Sequence, residues 1–116
     1  MDEARERLAA ARTTRDSGFE GVAVSLAYCA MLYAARAALS EEDRYAKTHS
    51  GTWQLFRETF VASRRFDAAL LRQAEQTQEL RLGADYDARQ IHPDEAESVV
   101  QLARQFVAAI EALYPD

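Results

Sequence analysis

Between Gly21 and Ala35 the chain carries no charged residue, and the run is apolar nearly all round. A helix of that kind has no face to give to water, so other elements must cover it on every side, or a membrane must. The uncharged run falls short of the ~20 residues that a bilayer span needs, and much of it is alanine. The pattern therefore predicts a central helix over about 19–39, buried in a bundle, whose small residues let neighbouring helices approach closely. Tyr28 and Tyr33 add bulk, each with a hydroxyl that needs a partner once buried.

The rest of the chain supplies the cover. Four glycines and two prolines in 116 residues leave too little punctuation for strands. Residues 2–16 read as a first helix with Ala4, Leu8 and Ala11 on one face, broken at Ser17-Gly18. A polar connection leads to Ser50 as a helix cap, then to a helix over about 51–63 that presents Trp53, Phe56 and Phe60 as an aromatic stripe. After a turn at Arg64-Arg65, a fourth helix over about 68–82 turns Leu70, Leu71, Ala74 and Leu80 inward. The last helix has Pro93 at its first position, acids in its first turn, and an unbroken stripe from Ala96 to Tyr114. His92, directly before that proline, reads as structural. The expected architecture is all-α: an antiparallel up-and-down helical bundle of four long helices plus a shorter helical element, one domain over 1–116.

The charge distribution bears on partners. The net charge of −5 argues against a generally basic nucleic-acid binder. From Arg44 to Arg89, however, eight Lys/Arg face six Asp/Glu, a balance of +2, while the remainder carries −7. A basic middle third between acidic ends is therefore one reading, and a plain solvated surface is the other. The single cysteine, Cys29, excludes an intramolecular disulfide and sits in an apolar run, as a buried inert thiol does. Two scattered histidines and that one cysteine make no zinc pattern, so neither a metal nor a cofactor is expected. The N-terminus is too charged for a signal peptide, which predicts a cytoplasmic protein with no membrane partner.

One stretch resists the helical reading. In Arg81-Leu-Gly-Ala-Asp-Tyr-Asp-Ala-Arg89, Gly83 can take the left-handed conformation that closes a helix, with Arg81 on the last turn before it. Arginine beside Asp85 and Asp87 in an irregular segment offers a rigid fork for phosphate, steadied by acidic neighbours. A solvated loop with an Arg–Asp pair and Tyr86 against the core explains the same residues.

The order of features resembles the HEPN domain family, in its branch of short stand-alone proteins encoded beside a minimal nucleotidyltransferase. The resemblance runs from Ala27-Tyr28-Cys29-Ala30-Met31-Leu32-Tyr33-Ala34-Ala35-Arg36 through Lys47-Thr48-His49-Ser50-Gly51 and a Phe-rich helix. It continues through Arg81 and Asp85-Tyr86-Asp87 to Ala103-x-x-Phe106-Val107 in the closing helix. It implies a helical homodimer with a cleft shared between protomers, and in many members metal-independent ribonuclease activity as a toxin. It also implies the nucleotidyltransferase as antitoxin, in some cases adenylylating its partner, which draws attention to the Tyr86 hydroxyl.

Active members follow an arginine with a histidine a few residues later. Arginine polarises the scissile phosphate, and histidine exchanges a proton with the 2′-hydroxyl or the leaving oxygen. Here the arginine role falls to Arg81, but Tyr86 stands where a histidine is expected. The candidate catalytic residues are then Arg81, Asp85 to orient it, and His49 or Tyr86 for proton transfer. Lys47, Arg81 and Asp87 are the candidates for binding nucleotide or RNA. Two further readings use the same residues: a non-catalytic homodimeric module that binds a nucleotide or docks on the nucleotidyltransferase, and a plain helical dimer whose polar cluster fixes geometry.

Overall fold

In the computed structural model the described residues are 1–86 and 90–115, with the backbone alone of residues 85 and 86. Helix α1 spans Asp2–Asp16, α2 Glu20–Glu41, α3 His49–Phe56 with one π turn continuing it over Arg57–Val61, α4 Ala68–Tyr86 and α5 Pro93–Leu113. Helix α2 is the axis, touching each of the other four. Its buried face is built from Ala23, Val24, Ala27, Tyr28, Ala30, Met31, Leu32, Ala34, Ala35, Ala38 and Leu39. By length and composition alone α2 could cross a bilayer, but 61% of its most apolar window is buried inside the bundle.

Side-chain pairs give the helix directions. Arg5 pairs with Glu111 at 2.8 Å and Arg15 with Glu97 at 3.1 Å, so α1 and α5 run antiparallel. Tyr114 reaches Ala38 and Glu42, which sets the C-terminal end of α5 beside that of α2. Gly21 approaches Ala84 while Tyr28 faces Arg81, so α4 runs against α2. Four long helices alternate up and down, and α3 with its π turn is the shorter element, as the pattern predicts.

Three local readings change. Helix α4 does not end before Gly83 but continues through Tyr86, and Gly83 is buried within it. The small residues there serve a close helix–helix approach rather than a left-handed cap: a Cβ built on Gly21 would lie 3.7 Å from the Ala84 Cβ. The cap of α3 is Thr48, not Ser50. Thr48 is extended, and its Oγ1 accepts from the Gly51 N–H at 2.9 Å, which places His49 on the helix and not in the loop before it. The third helix also gives way to a π turn at Arg57, where Ala62 N–H reaches the Arg57 carbonyl at 3.0 Å. The aromatic stripe nonetheless packs inward: Phe56 lies 4.7 Å from Phe60 and 4.9 Å from Phe66, and Phe66 lies 5.0 Å from Phe106.

The far end of the bundle is closed by a polar clasp. The Tyr114 hydroxyl donates to Glu42 at 2.7 Å, Arg65 donates to the same carboxylate at 2.9 Å, and the Arg65 guanidinium lies over Phe60. The bond from Tyr114, then that from Arg65, holds the Glu42 carboxyl below its ordinary range. A depressed folded pKa contributes stability above the unfolded value and loses it as pH falls through the folded one. Glu42→Gln is therefore expected to flatten the acid limb of a plot of Tm against pH. A limb equally steep in wild type and variant would show that the clasp does not couple to folding.

Candidate functional site

Burial of Tyr28 organises the polar cluster of this protein. Tyr28 is fully buried on α2, so its hydroxyl requires partners from the surrounding helices. Helix α3 supplies two. The indole Nε1 of Trp53 donates to the Tyr28 oxygen at 3.1 Å, and Nδ1 of His49 lies 3.3 Å from the same oxygen. Helix α4 extends the cluster. Gln78 meets His49 Nδ1 at 3.4 Å, and one turn further on Arg81 sets its guanidinium carbon 5.5 Å from the Tyr28 ring centroid. His49 and Arg81, far apart in the chain, thus both lie against Tyr28.

A hollow of about 400 Å³ opens beside this cluster, lined by His49, Ser50, Trp53, Gln54, Arg57, Glu75 and Gln78. Arg57, on the π turn, pairs across it with Glu75. On the other side of α3, Arg36 Nε donates to Thr52 Oγ1 at 3.3 Å, fastening α2 to α3. A hollow of about 470 Å³ between α1, α2 and α5 is lined by Arg5, Glu111 and Tyr114, but Arg5 and Glu111 are already bonded to each other there.

Burial raises the Tyr28 phenol above its ordinary value against the opposing bond from Trp53 and the charge of Arg81. It therefore stays a neutral O–H at working pH. The chemistry on offer is the His49 imidazole at the edge of an open hollow and the Arg81 guanidinium over the ring of the same fixed phenol.

Of the residues singled out in the sequence, the structure brings His49 and Arg81 together. Lys47 is exposed, two residues before His49. Asp87 lies outside the described residues, as do the side chains of Asp85 and Tyr86. The helical backbone does set Asp85 four residues beyond Arg81, the spacing that shares a helix face. His92 stands at the start of α5, where its N–H donates to Glu95 at 3.1 Å, a structural role as expected. Sequence reading missed the contributions of Trp53 and Gln78. The signals were there: a buried tyrosine demanding a partner, and Gln78 placed one turn before Arg81.

A helical bundle packed around one apolar central helix defines the class of protein. The chain matches the HEPN domain over residues 1–113, and it belongs to the HEPN family. It is 36% identical to "UPF0332 protein glr0978" of Gloeobacter violaceus over 104 residues, covering 90% of this chain and 82% of that one. It is 30% identical to "Putative toxin MJ0142" of Methanocaldococcus jannaschii over 108 residues, covering 92% and 74%.

Proposed function

We propose that this protein is a HEPN toxin that acts on the RNA backbone without a metal, in a pair with a minimal nucleotidyltransferase antitoxin. The observation that carries the reading is the placement of His49 and Arg81 against one buried phenol, with His49 lining an open hollow. The name of the archaeal relative supports the toxin half of it. In the reaction the 2′-hydroxyl attacks phosphorus, the bond to the 5′-oxygen breaks, and that oxygen takes up a proton. Arg81 binds the phosphoryl oxygens, whose charge grows in the transition state, and His49 handles a proton in place of the histidine that Tyr86 displaces. Expressed alone in a bacterial host, the protein is expected to arrest growth, and Arg81→Ala to relieve the arrest. Arrest that persists in a soluble Arg81→Ala variant removes Arg81 from the mechanism.

A second reading rests on a different observation. Phe19 is 61% exposed and Val22 51%, and with Leu26 and Ala84 they border a hollow of about 440 Å³. An apolar face of this kind suits docking, whether of a second copy or of the nucleotidyltransferase. A homodimer across it is the reading we adopt, because the face lies on the central helix that also carries Tyr28. Val22→Glu is then expected to turn a dimer into a 13.0 kDa monomer in light scattering. Wild type that is already monomeric at micromolar concentration contradicts the dimer.

A further inference from the structure

The hydrogen bonds around Tyr28 carry a direction, and the direction assigns a role to His49. An indole N–H can only donate, so Trp53 occupies one lone pair of the Tyr28 oxygen and cannot take the phenol proton. The phenol keeps its own proton, and it is fully buried, where an unplaced O–H costs a desolvation penalty. Among the described residues, the polar atoms within hydrogen-bond distance of that oxygen are Trp53 Nε1 and His49 Nδ1. The indole cannot accept the proton, so Nδ1 must.

Gln78 does not decide the matter. Its amide meets Nδ1 at 3.4 Å and serves either state, offering its oxygen to a protonated Nδ1 or, after a half-turn, its NH2 to a bare one. Tyr28 has no such freedom, because its buried O–H has no other acceptor among the described residues.

We propose that Trp53 and Tyr28 form a directed relay, indole N–H to phenol oxygen and phenol O–H to Nδ1, that holds neutral His49 as its Nε2–H tautomer. Tyr28 is then a positioning residue, and the resting ring presents a donor rather than a base to whatever enters the hollow. A bare Nε2, which abstraction of a proton there requires, belongs to the other tautomer. The inference deepens the nuclease reading and rests on it for its consequence: His49 serves the leaving group. For turnover His49 takes up a proton from solvent at Nδ1, whose N–H then hydrogen-bonds the Gln78 oxygen. The imidazolium gives its Nε2 proton to the 5′-oxygen as the P–O bond breaks, and the 2′-hydroxyl gives its proton to solvent as it attacks phosphorus.

The test needs no RNA. In the 15N-labelled protein, at a pH where His49 is neutral, long-range proton–nitrogen NMR correlations distinguish a bare Nδ1 from a bare Nε2. His92→Gln removes the only other histidine and assigns the signals. Wild type is expected to show Nε2–H as the dominant form of His49. Tyr28→Phe removes the O–H that Nδ1 accepts, so it is expected to shift the population toward Nδ1–H, whereas Trp53→Phe gives that O–H no other acceptor and is expected to keep Nε2–H. A dominant Nδ1–H form in wild type overturns the relay without recourse to any variant. An unchanged tautomer in folded Tyr28→Phe overturns it as well. The nuclease reading stands or falls separately, on RNA cleavage, so failure of one is told apart from failure of the other.

Discussion

Phe106→Ala is expected to remove about 3–5 kcal/mol of folding stability, the usual cost of emptying a phenylalanine site in a packed core. Phe106 is fully buried on α5 and joins the two halves of the aromatic cluster. It lies 6.0 Å from Trp53 edge-on, 5.0 Å from Phe66 and 5.9 Å from Phe56. Neighbours that large cannot collapse onto an alanine without leaving their rotamers, so most of the cavity persists. A domain of this size has about 5–15 kcal/mol in total, so the variant should sit near the edge of unfolding at room temperature. Urea denaturation measures the loss directly. The exposed Tyr45→Ala provides the control, since Tyr45 is 73% exposed. A loss below about 1 kcal/mol for Phe106→Ala would mean that the aromatic cluster does not hold α3 against α5.

On the proposed nuclease function, the second large effect is catalytic. Arg81→Ala is expected to lower RNA cleavage by about 10²–10³-fold, the scale seen when one preorganised donor to a transition-state oxyanion is removed. Arg81→Lys should fall between wild type and alanine. Lysine keeps the charge but loses the planar fork and the stacking that sets the guanidinium on the Tyr28 ring. Cleavage by Arg81→Lys at the wild-type rate would reduce the arginine to a diffuse positive charge. Equal loss in both variants would make geometry rather than charge the decisive term.

How far the sequence disclosed this molecule depended on which kind of constraint each residue obeys. Helix α5 was plain from Ala96 to Tyr114, because a surface helix of a bundle must show one apolar face and this one does so without interruption. Helix α2 was equally plain for the opposite reason, having no polar face to spare. Gly83 misled because glycine serves two ends that composition does not separate: it ends helices, and it lets helices touch. Here α4 runs on through Gly83, and the neighbouring Ala84 packs against Gly21 of α2. Thr48 and Ser50 are both capable caps two residues apart, and only backbone geometry chooses between them.

The site was half legible. Arg81 and His49 stood out as residue types, Arg81 by its motif and His49 as the one histidine with room for a role. What joins them is Tyr28, read from sequence as core bulk with a hydroxyl to satisfy. That the hydroxyl is satisfied by His49 and Trp53 depends on how α3 crosses α2, a tertiary fact that no local pattern encodes.

The central claim, that His49 and Arg81 form one reactive site, is tested most directly by incubating the purified protein with a mixed RNA pool in EDTA. Arg81→Ala and His49→Ala are run beside wild type, each first shown to be folded. The account predicts cleavage by wild type with the chelator present and its loss in both variants. No cleavage by folded wild type, or cleavage that survives both substitutions, would contradict it.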